Sequence, residues 1–203
     1  MAISKNNRVR AAIIGTCCLL VVQYSSVLAD AKIDGDKGIE EFRNGNLIEA
    51  MQLLEKSAAQ GYTPAQVTLA YILDYSEQDT EAYQWYQQAA DSGDPAGLFG
   101  LGSMYAKGEG TPLDPQKAGQ LIEQSALLDH RPAMRAYANA LEHGKLGFSQ
   151  NHSSAAEWFL KAANAGDYVS MHRLIDAYSL GELGLAVNPE EASKWEIKLN
   201  PKN

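Results

Sequence analysis

The chain has 203 residues, with 17 Lys and Arg against 25 Asp and Glu and a formal net charge of −8 at pH 7. Residues 1–29 contain three of the basic residues and no acidic one, so residues 30–203 carry a net charge of −11. This excess of negative charge argues against nucleic acids and anionic lipids as partners, because both bind basic patches that displace their counterions. It favours protein partners.

The first 29 residues have the pattern of an export signal. A basic start leads into the apolar segment 11–22, and residues 27–29 place small or medium side chains where a signal peptidase cuts. We expect cleavage after Ala29, with cleavage after Ala31 as the alternative. An uncleaved membrane anchor is disfavoured, because the apolar segment is well short of the roughly 20 residues that span a bilayer. The expected product is an exported chain, 30–203, with no stable membrane span.

Both cysteines, Cys17 and Cys18, lie inside this apolar segment. A lipoprotein signal, in which a cysteine becomes the lipidated first residue, is the alternative, but the sequence before Cys17 matches it poorly and the apolar core continues past it. After cleavage the chain would contain no cysteine. That excludes disulfides, thiolate metal ligands and a cysteine nucleophile.

The exported part contains four short alanine-rich segments, which end at residues 61, 93, 129 and 166. The spacing between them falls in the range of helical-repeat proteins. In each segment small alanines allow two helices to approach closely, and Gly61, Gly93, Gly166 or Asp129 supplies the left-handed residue that ends a helix. We place a short proline-containing link after three of the segments, through Pro64, Pro95 and Pro132.

Taken in order, the units differ in how completely they keep one pattern. In the first, 38–44 predicts only a short helix before a turn at Gly45-Asn46. In the second, 77–80 predicts a shortened turn between the two helices. The third is fullest, with a helix through 101–105, a glycine-rich turn at 107–112, and Asp114-Pro115 as a helix start. The fourth repeats this order, and an incomplete fifth follows.

The third unit and the alanine-rich segments resemble the Sel1-like repeat family, which is related to the tetratricopeptide repeats. The matching residues are Leu101-Gly102, Met104-Tyr105, Gly108, Gly110, Asp114, Lys117-Ala118, Ala155, Trp158 and Phe159. The resemblance implies an all-α fold, a right-handed α-solenoid of antiparallel helix pairs. We place the units at about 34–65, 66–97, 98–133, 134–170 and, in part, 171–198.

The resemblance also implies a function, that of an exported bacterial adaptor that binds other proteins. The roles open to such members include envelope assembly, polysaccharide secretion, motility, signalling and host interaction. The leading expectation is a non-enzymatic periplasmic scaffold that holds a protein segment, with basic residues expected in that segment. The alternatives are a secreted factor that acts on a host or cell surface, and a cell-wall enzyme or its activator.

A binding groove is predicted from the helical spacing. On the first helix of each unit one stripe carries Ala, Leu and Met or Tyr and is expected in the core: Ala65, Leu69, Ile72, Leu73, Leu101, Met104, Tyr105, Leu141, Leu174 and Tyr178. A second stripe is expected to line the groove: Thr68, Tyr71, Tyr75, Gly100, Ser103, Lys107, Ala136, Asn139, His143, Arg173, Asp176 and Leu180. From it we take Tyr71, Tyr75, Ser103, Lys107, Asn139, His143, Arg173 and Asp176 as candidate protein-binding residues. The alternative for the tyrosines is burial under the shortened turn.

Catalysis has little support in the sequence. The four histidines lack metal-ligand spacing, and no Ser lies in a nucleophile-elbow context. Gly108-Glu109-Gly110 follows a helix and not a strand, and no phosphate-binding lysine motif comes after it. We therefore expect no catalytic residue, no metal and no cofactor. The oligomeric state stays open.

Overall fold

The computed structural model describes residues 28–200, and all regular structure in that range is helical. The helices are α1 (28–43), α2 (Leu47–Ala59), α3 (Thr63–Tyr75), α4 (Asp79–Asp91), α5 (Pro95–Lys107), α6 (Pro115–Leu127), α7 (Arg131–His143), α8 (His152–Asn164), α9 (Tyr168–Leu180) and α10 (Pro189–Leu199). The predicted all-α fold of paired helices is confirmed. Apart from its last two residues, the predicted export signal lies outside the described residues.

The described residues form two compact units, divided between Leu69 and Ala70. In the first unit the prediction of a short helix at 38–44 is wrong, because α1 already includes residue 28. Gly35 and Gly38 lie inside α1, where they do not break the helix but allow close contact with other residues. A Cβ at Gly35 would collide with the Tyr62 ring and the Ser57 hydroxyl, and one at Gly38 would come within 2.9 Å of Leu54 Cγ. The glycines therefore let α1 lie close against the next helix.

In the second unit each helix from α4 to α9 packs against the next one in the chain. The predicted helix ends are confirmed: Gly93 and Gly166 have φ of 77° and 88°, and Asp129 has φ of 60°. The prolines differ from expectation, because Pro95 and Pro132 lie in the first turns of α5 and α7 and not in the links before them. A proline is tolerated there, since the first amides of a helix have no partner within it.

Three long connections, 108–114, 144–151 and 181–188, join the helices of the later pairs. Each begins with a glycine in the left-handed region, at Gly108, Gly144 and Gly181. Each ends with an amide that returns to a carbonyl near the end of the preceding helix: Asp114 N to Tyr105 O at 2.9 Å, Asn151 N to Leu141 O at 2.8 Å and Asn188 N to Tyr178 O at 2.7 Å. The predicted start at Asp114-Pro115 is confirmed, because the Asp114 carboxylate accepts from Lys117 N.

The core of the second unit follows the predicted stripe, with Ile72, Leu101, Met104, Leu141 and Leu174 buried; Tyr178 is only half-buried. Small residues set the helix spacing. Ala89, Ala162 and Ala163 are fully buried, and a Cβ at Gly97 would come within 2.6 Å of Ala89 Cβ. Enlarging such a residue must push two helices apart.

Replacing Ala163 by Leu should lower the free energy of unfolding by about 1–3 kcal/mol, because overpacking a close contact forces neighbouring side chains off their rotamers. Urea denaturation measures it. The control is Ala165→Leu, since Ala165 lies just after α8 and is exposed. Equal stability of the two variants would contradict the close packing of α8 against its neighbours.

Candidate functional site

The eight predicted groove residues lie on α3, α5, α7 and α9, at repeated positions of these 13-residue helices. The ninth position holds Tyr71, Ser103, Asn139 and Asp176, and the thirteenth holds Tyr75, Lys107, His143 and Leu180. Arg173 is the exception, at the sixth position of α9. These residues therefore share equivalent positions on successive helices, and the type of side chain at each position differs from helix to helix.

The tyrosine end of this stripe is open to solvent. Tyr71 is 52% exposed and Tyr75 is 85% exposed. The alternative that both pack under the shortened turn 76–78 is therefore wrong. Asp74 lies on the same helix face, three residues after Tyr71, and sequence reasoning missed it. Burial raises the pKa of the Asp74 carboxyl above its usual range, whereas the positive charge of nearby Lys107 lowers it.

The middle of the stripe is polar, and its side chains bond mostly to their own helices. Ser103 Oγ donates to Phe99 O at 2.9 Å, and Asn139 Nδ2 donates to Arg135 O at 3.0 Å. Lys107 Nζ lies 2.8 Å from Glu109 Oε2. These side chains are accessible, and local bonds hold them in place.

Arg173 forms a bridge at the other end of the stripe. Its Nη2 and Nε donate to Glu142 Oε1 at 2.6 and 3.0 Å, and its Nη1 donates to Glu182 Oε2 at 2.7 Å. The Glu142 side chain is only 13% exposed and that of Arg173 22% exposed. Arg173 thus joins α9 to α7 and to the connection after α9. Glu142 was missed because nothing in the sequence links residues 31 positions apart.

Gly100 was expected on the open stripe, but it is buried. A Cβ there would collide with the ring of Tyr86 on α4. Glycine is required at this place because the aromatic ring occupies the space of a side chain. The stripe is therefore interrupted at the sixth position of α5.

A cluster of polar aromatic groups lies away from the stripe. Lys117 Nζ donates to Tyr105 Oη at 2.6 Å, and the hydroxyls of Tyr105 and Tyr83 lie 2.9 Å apart. The bond from Lys117 lowers the pKa of Tyr105, whereas the bond with Tyr105 raises the pKa of Tyr83 to about 12. Tyr105 is buried, so we assign the cluster to the packing of α4, α5 and α6.

Residues 28–200 offer neither a metal centre nor a membrane segment. No three His, Cys, Asp or Glu residues are grouped there so as to hold a metal ion. Within the same range no helix combines the length and apolar character that a bilayer span requires.

A family model of the Sel1 repeat matches residues 28–62, 64–94, 95–130 and 131–167. The chain belongs to the Sel1 repeat family. Among solved structures, this Sel1 repeat chain is similar to a Sel1 repeat protein from Oxalobacter formigenes, with 27% identity and a TM-score of 0.78 over 85% of this chain and 72% of that one. It is also similar to a protective antigen of uropathogenic Escherichia coli with an SLR fold, with 29% identity and a TM-score of 0.72 over 85% of this chain and 38% of that one.

Two curated relatives match shorter parts of the chain. An uncharacterized protein of Neisseria meningitidis is 30% identical over 132 residues, and so is a chitin synthase regulator of Saccharomyces cerevisiae. These matches cover 65% and 62% of this Sel1 repeat chain but only 28% and 19% of the relatives. The chain thus spans less than a third of the length of either.

The bridge between Arg173 and Glu142 should stabilise the Sel1 repeat fold, because removing Arg173 leaves the largely buried carboxylate of Glu142 without its counterion. In a double-mutant cycle of Arg173→Ala and Glu142→Ala, thermal and urea denaturation should give a coupling energy of about 1 kcal/mol or more. The control is Arg131→Ala, which removes an exposed guanidinium that bonds to Gly166 O at 3.4 Å and should cost less stability than Arg173→Ala. Strict additivity of Arg173→Ala and Glu142→Ala would show that the bridge carries no stability.

His130 should make the stability depend on pH. Its Nδ1 is buried without a hydrogen-bond partner, and its ring lies 5.3 Å from that of Phe99. Burial lowers the pKa of His130, opposed by Asp94 and assisted by Arg131. The unfolded chain therefore binds the proton more readily, and stability should fall as the pH drops from about 7 to 5.

Denaturation midpoints across this pH range test the expectation. His130→Phe keeps a ring but cannot be protonated, so its stability should fall less between the two pH values. The control is His152→Phe at an exposed position. If the His130→Phe variant loses as much stability as the parent, another group is responsible.

Proposed function

We propose that this Sel1 repeat protein is a non-enzymatic scaffold that holds a segment of a partner protein against α3, α5, α7 and α9. The observation that carries the proposal is the shared register of the stripe. From α3 to α9 the ninth and thirteenth helix positions hold two Tyr, then Ser and Lys, then Asn and His, then Asp and Leu. Extended surfaces of this kind are how stacked repeats bind ligands. An elongated segment could contact several helices in turn.

The comparisons support a scaffold more than a catalyst. Sel1 repeats generally mediate protein interactions, and both similar structures described above have this repeat architecture. The yeast relative is named as a regulator of an enzyme. By analogy, the present protein would act by bringing a partner into position.

We place this scaffold in the bacterial periplasm. The support is the export pattern of residues 1–29. A contact in the first helix pair bears on where the signal is cut. Ala31 is fully buried, and its carbonyl accepts a hydrogen bond from Ser57 Oγ at 2.6 Å. Cleavage after Ala31 would remove this contact, whereas cleavage after Ala29 would keep it.

A secreted factor is the second candidate. The observation in its favour is the similarity to the Escherichia coli protein described as a protective antigen. Finding the protein in the culture medium, and not in the periplasm, would favour this candidate.

The location can be tested by fractionating cells that produce the full chain. We expect the protein in the periplasmic fraction, with Asp30 as its first residue by mass spectrometry. Replacing Ala29 by a bulky Phe should block cleavage and retain the precursor, because the peptidase requires a small residue there. A cytoplasmic full-length chain would contradict the proposal.

Binding along the stripe can be tested by photo-crosslinking in living cells. A benzoylphenylalanine at Asn139, on α7, should give a discrete adduct with a partner. The matched control carries the same group at Glu157, which is exposed on α8. Adducts at Glu157 alone would move the binding surface to the second helices, and no adduct at either place would contradict a scaffold role.

A further inference from the structure

The internal repeats allow one carboxylate to be compared with another. Asp74 is the twelfth residue of α3, and Glu142 is the twelfth residue of α7. Glu142 is bound by Arg173, the sixth residue of the next first helix, α9. The sixth residue of α5, which stands in the same relation to Asp74, is Gly100. The position that supplies a guanidinium to Glu142 supplies no side chain to Asp74.

The ring of Tyr86 fills the space beside Gly100, but it carries no positive charge, and no other cation among residues 28–200 replaces that arginine. Lys107 is the nearby cation that lowers the pKa of Asp74, but its Nζ is bound to Glu109 Oε2 at 2.8 Å. Asp79 and Glu109 add negative charge around Asp74 and raise its pKa. Within 28–200 no cation lies within ion-pair distance of the Asp74 carboxylate. The local charge is therefore negative, and Asp74 is half-buried.

Two exposed aromatic rings lie within one turn of this carboxylate on α3. Tyr71 precedes Asp74 by three residues and Tyr75 follows it directly, and both rings are more than half exposed. A planar guanidinium stacks on aromatic faces while its N–H groups bond to a carboxylate, and it is less strongly hydrated than an ammonium. Exposed tyrosines beside a carboxylate without a counterion thus fit an arginine better than any other side chain.

We propose that Asp74, together with Tyr71 and Tyr75, receives an arginine side chain of the bound partner segment, in the manner in which Glu142 receives Arg173. This inference rests on the proposed scaffold function and names the chemistry of its partner. The arginine supplies in trans the group that the repeat at α5 lacks. The negative charge of the exported chain assists the encounter with such a segment, so binding should weaken as salt is raised.

The test begins with a displayed library of random dodecapeptides, selected on the purified protein. We expect the recovered peptides to share an arginine. One of them is then synthesised with arginine, with lysine and with citrulline, which keeps the shape of arginine but lacks its charge. Dissociation constants are measured by fluorescence anisotropy on the parent, on Asp74→Asn and on Glu81→Gln, a control that removes an exposed charge from α4.

Asp74→Asn should raise the dissociation constant of the arginine peptide by about tenfold or more, which is the effect of losing a hydrogen bond to a charged group. The citrulline peptide should bind the parent about as weakly as the arginine peptide binds Asp74→Asn. The citrulline peptide should bind Asp74→Asn only a little more weakly still. Glu81→Gln should leave the dissociation constant within about twofold, as surface charges contribute little. Tyr71→Ala and Tyr75→Ala should also weaken binding.

Asp74→Asn should melt at the same temperature as the parent or higher, because it removes a half-buried charge that has no counterion. A lower melting temperature would indicate a structural role instead and would overturn the inference. So would peptides without arginine, or an unchanged dissociation constant for Asp74→Asn. If such peptides still crosslink at Asn139, the scaffold function stands without this arginine site, whereas a library that yields no binder contradicts both.

Discussion

The structure depends on how closely one helix can approach the next. Ala89, Ala162 and Ala163 are fully buried, and there is no room for even one more carbon at Gly97. Because the interior of a protein is packed as densely as an organic crystal, such contacts fix the distance and direction of both helices. The positions of exposed side chains follow from that spacing.

Sequence patterns predicted the helices, their ends and their core well, because these are governed by local rules. Left-handed residues at Gly93, Asp129 and Gly166 and the cap at Asp114 can be recognised from neighbours in the chain. Two kinds of error remain: Pro95 and Pro132 lie inside helices and not in links, and the role of glycines inside helices was not recognised. Gly35, Gly38 and Gly100 serve helix contacts, and a glycine's neighbours in the sequence do not reveal whether a ring from another helix fills its place.

The candidate site was predictable in part for the same reason. Helical spacing placed Tyr71, Tyr75, Asn139 and His143 on one stripe, since those intervals are local. It could not show that Arg173 is occupied by Glu142, nor that Asp74 lacks such a partner. Both facts depend on which residues of two different helices meet when the helices pack, and spacing within one helix does not show this. A stripe of accessible residues therefore contains members that are already used within the fold and members that are open.

The long connections have a consequence for how such a protein can change. In each of them an amide at the far end bonds back to a carbonyl near the end of the preceding helix, as Asn151 N does to Leu141 O. The bond closes the connection into a ring anchored at both ends. Exposed residues can be inserted into the ring at small cost, because the cost of lengthening a closed loop grows only slowly with its length. Leu146, Phe148 and Leu183 must stay in place, because they pack in or against the core. Exposed residues of these connections can therefore vary in evolution while the packing of the helices stays constant. The connections are also the natural place to insert a foreign epitope.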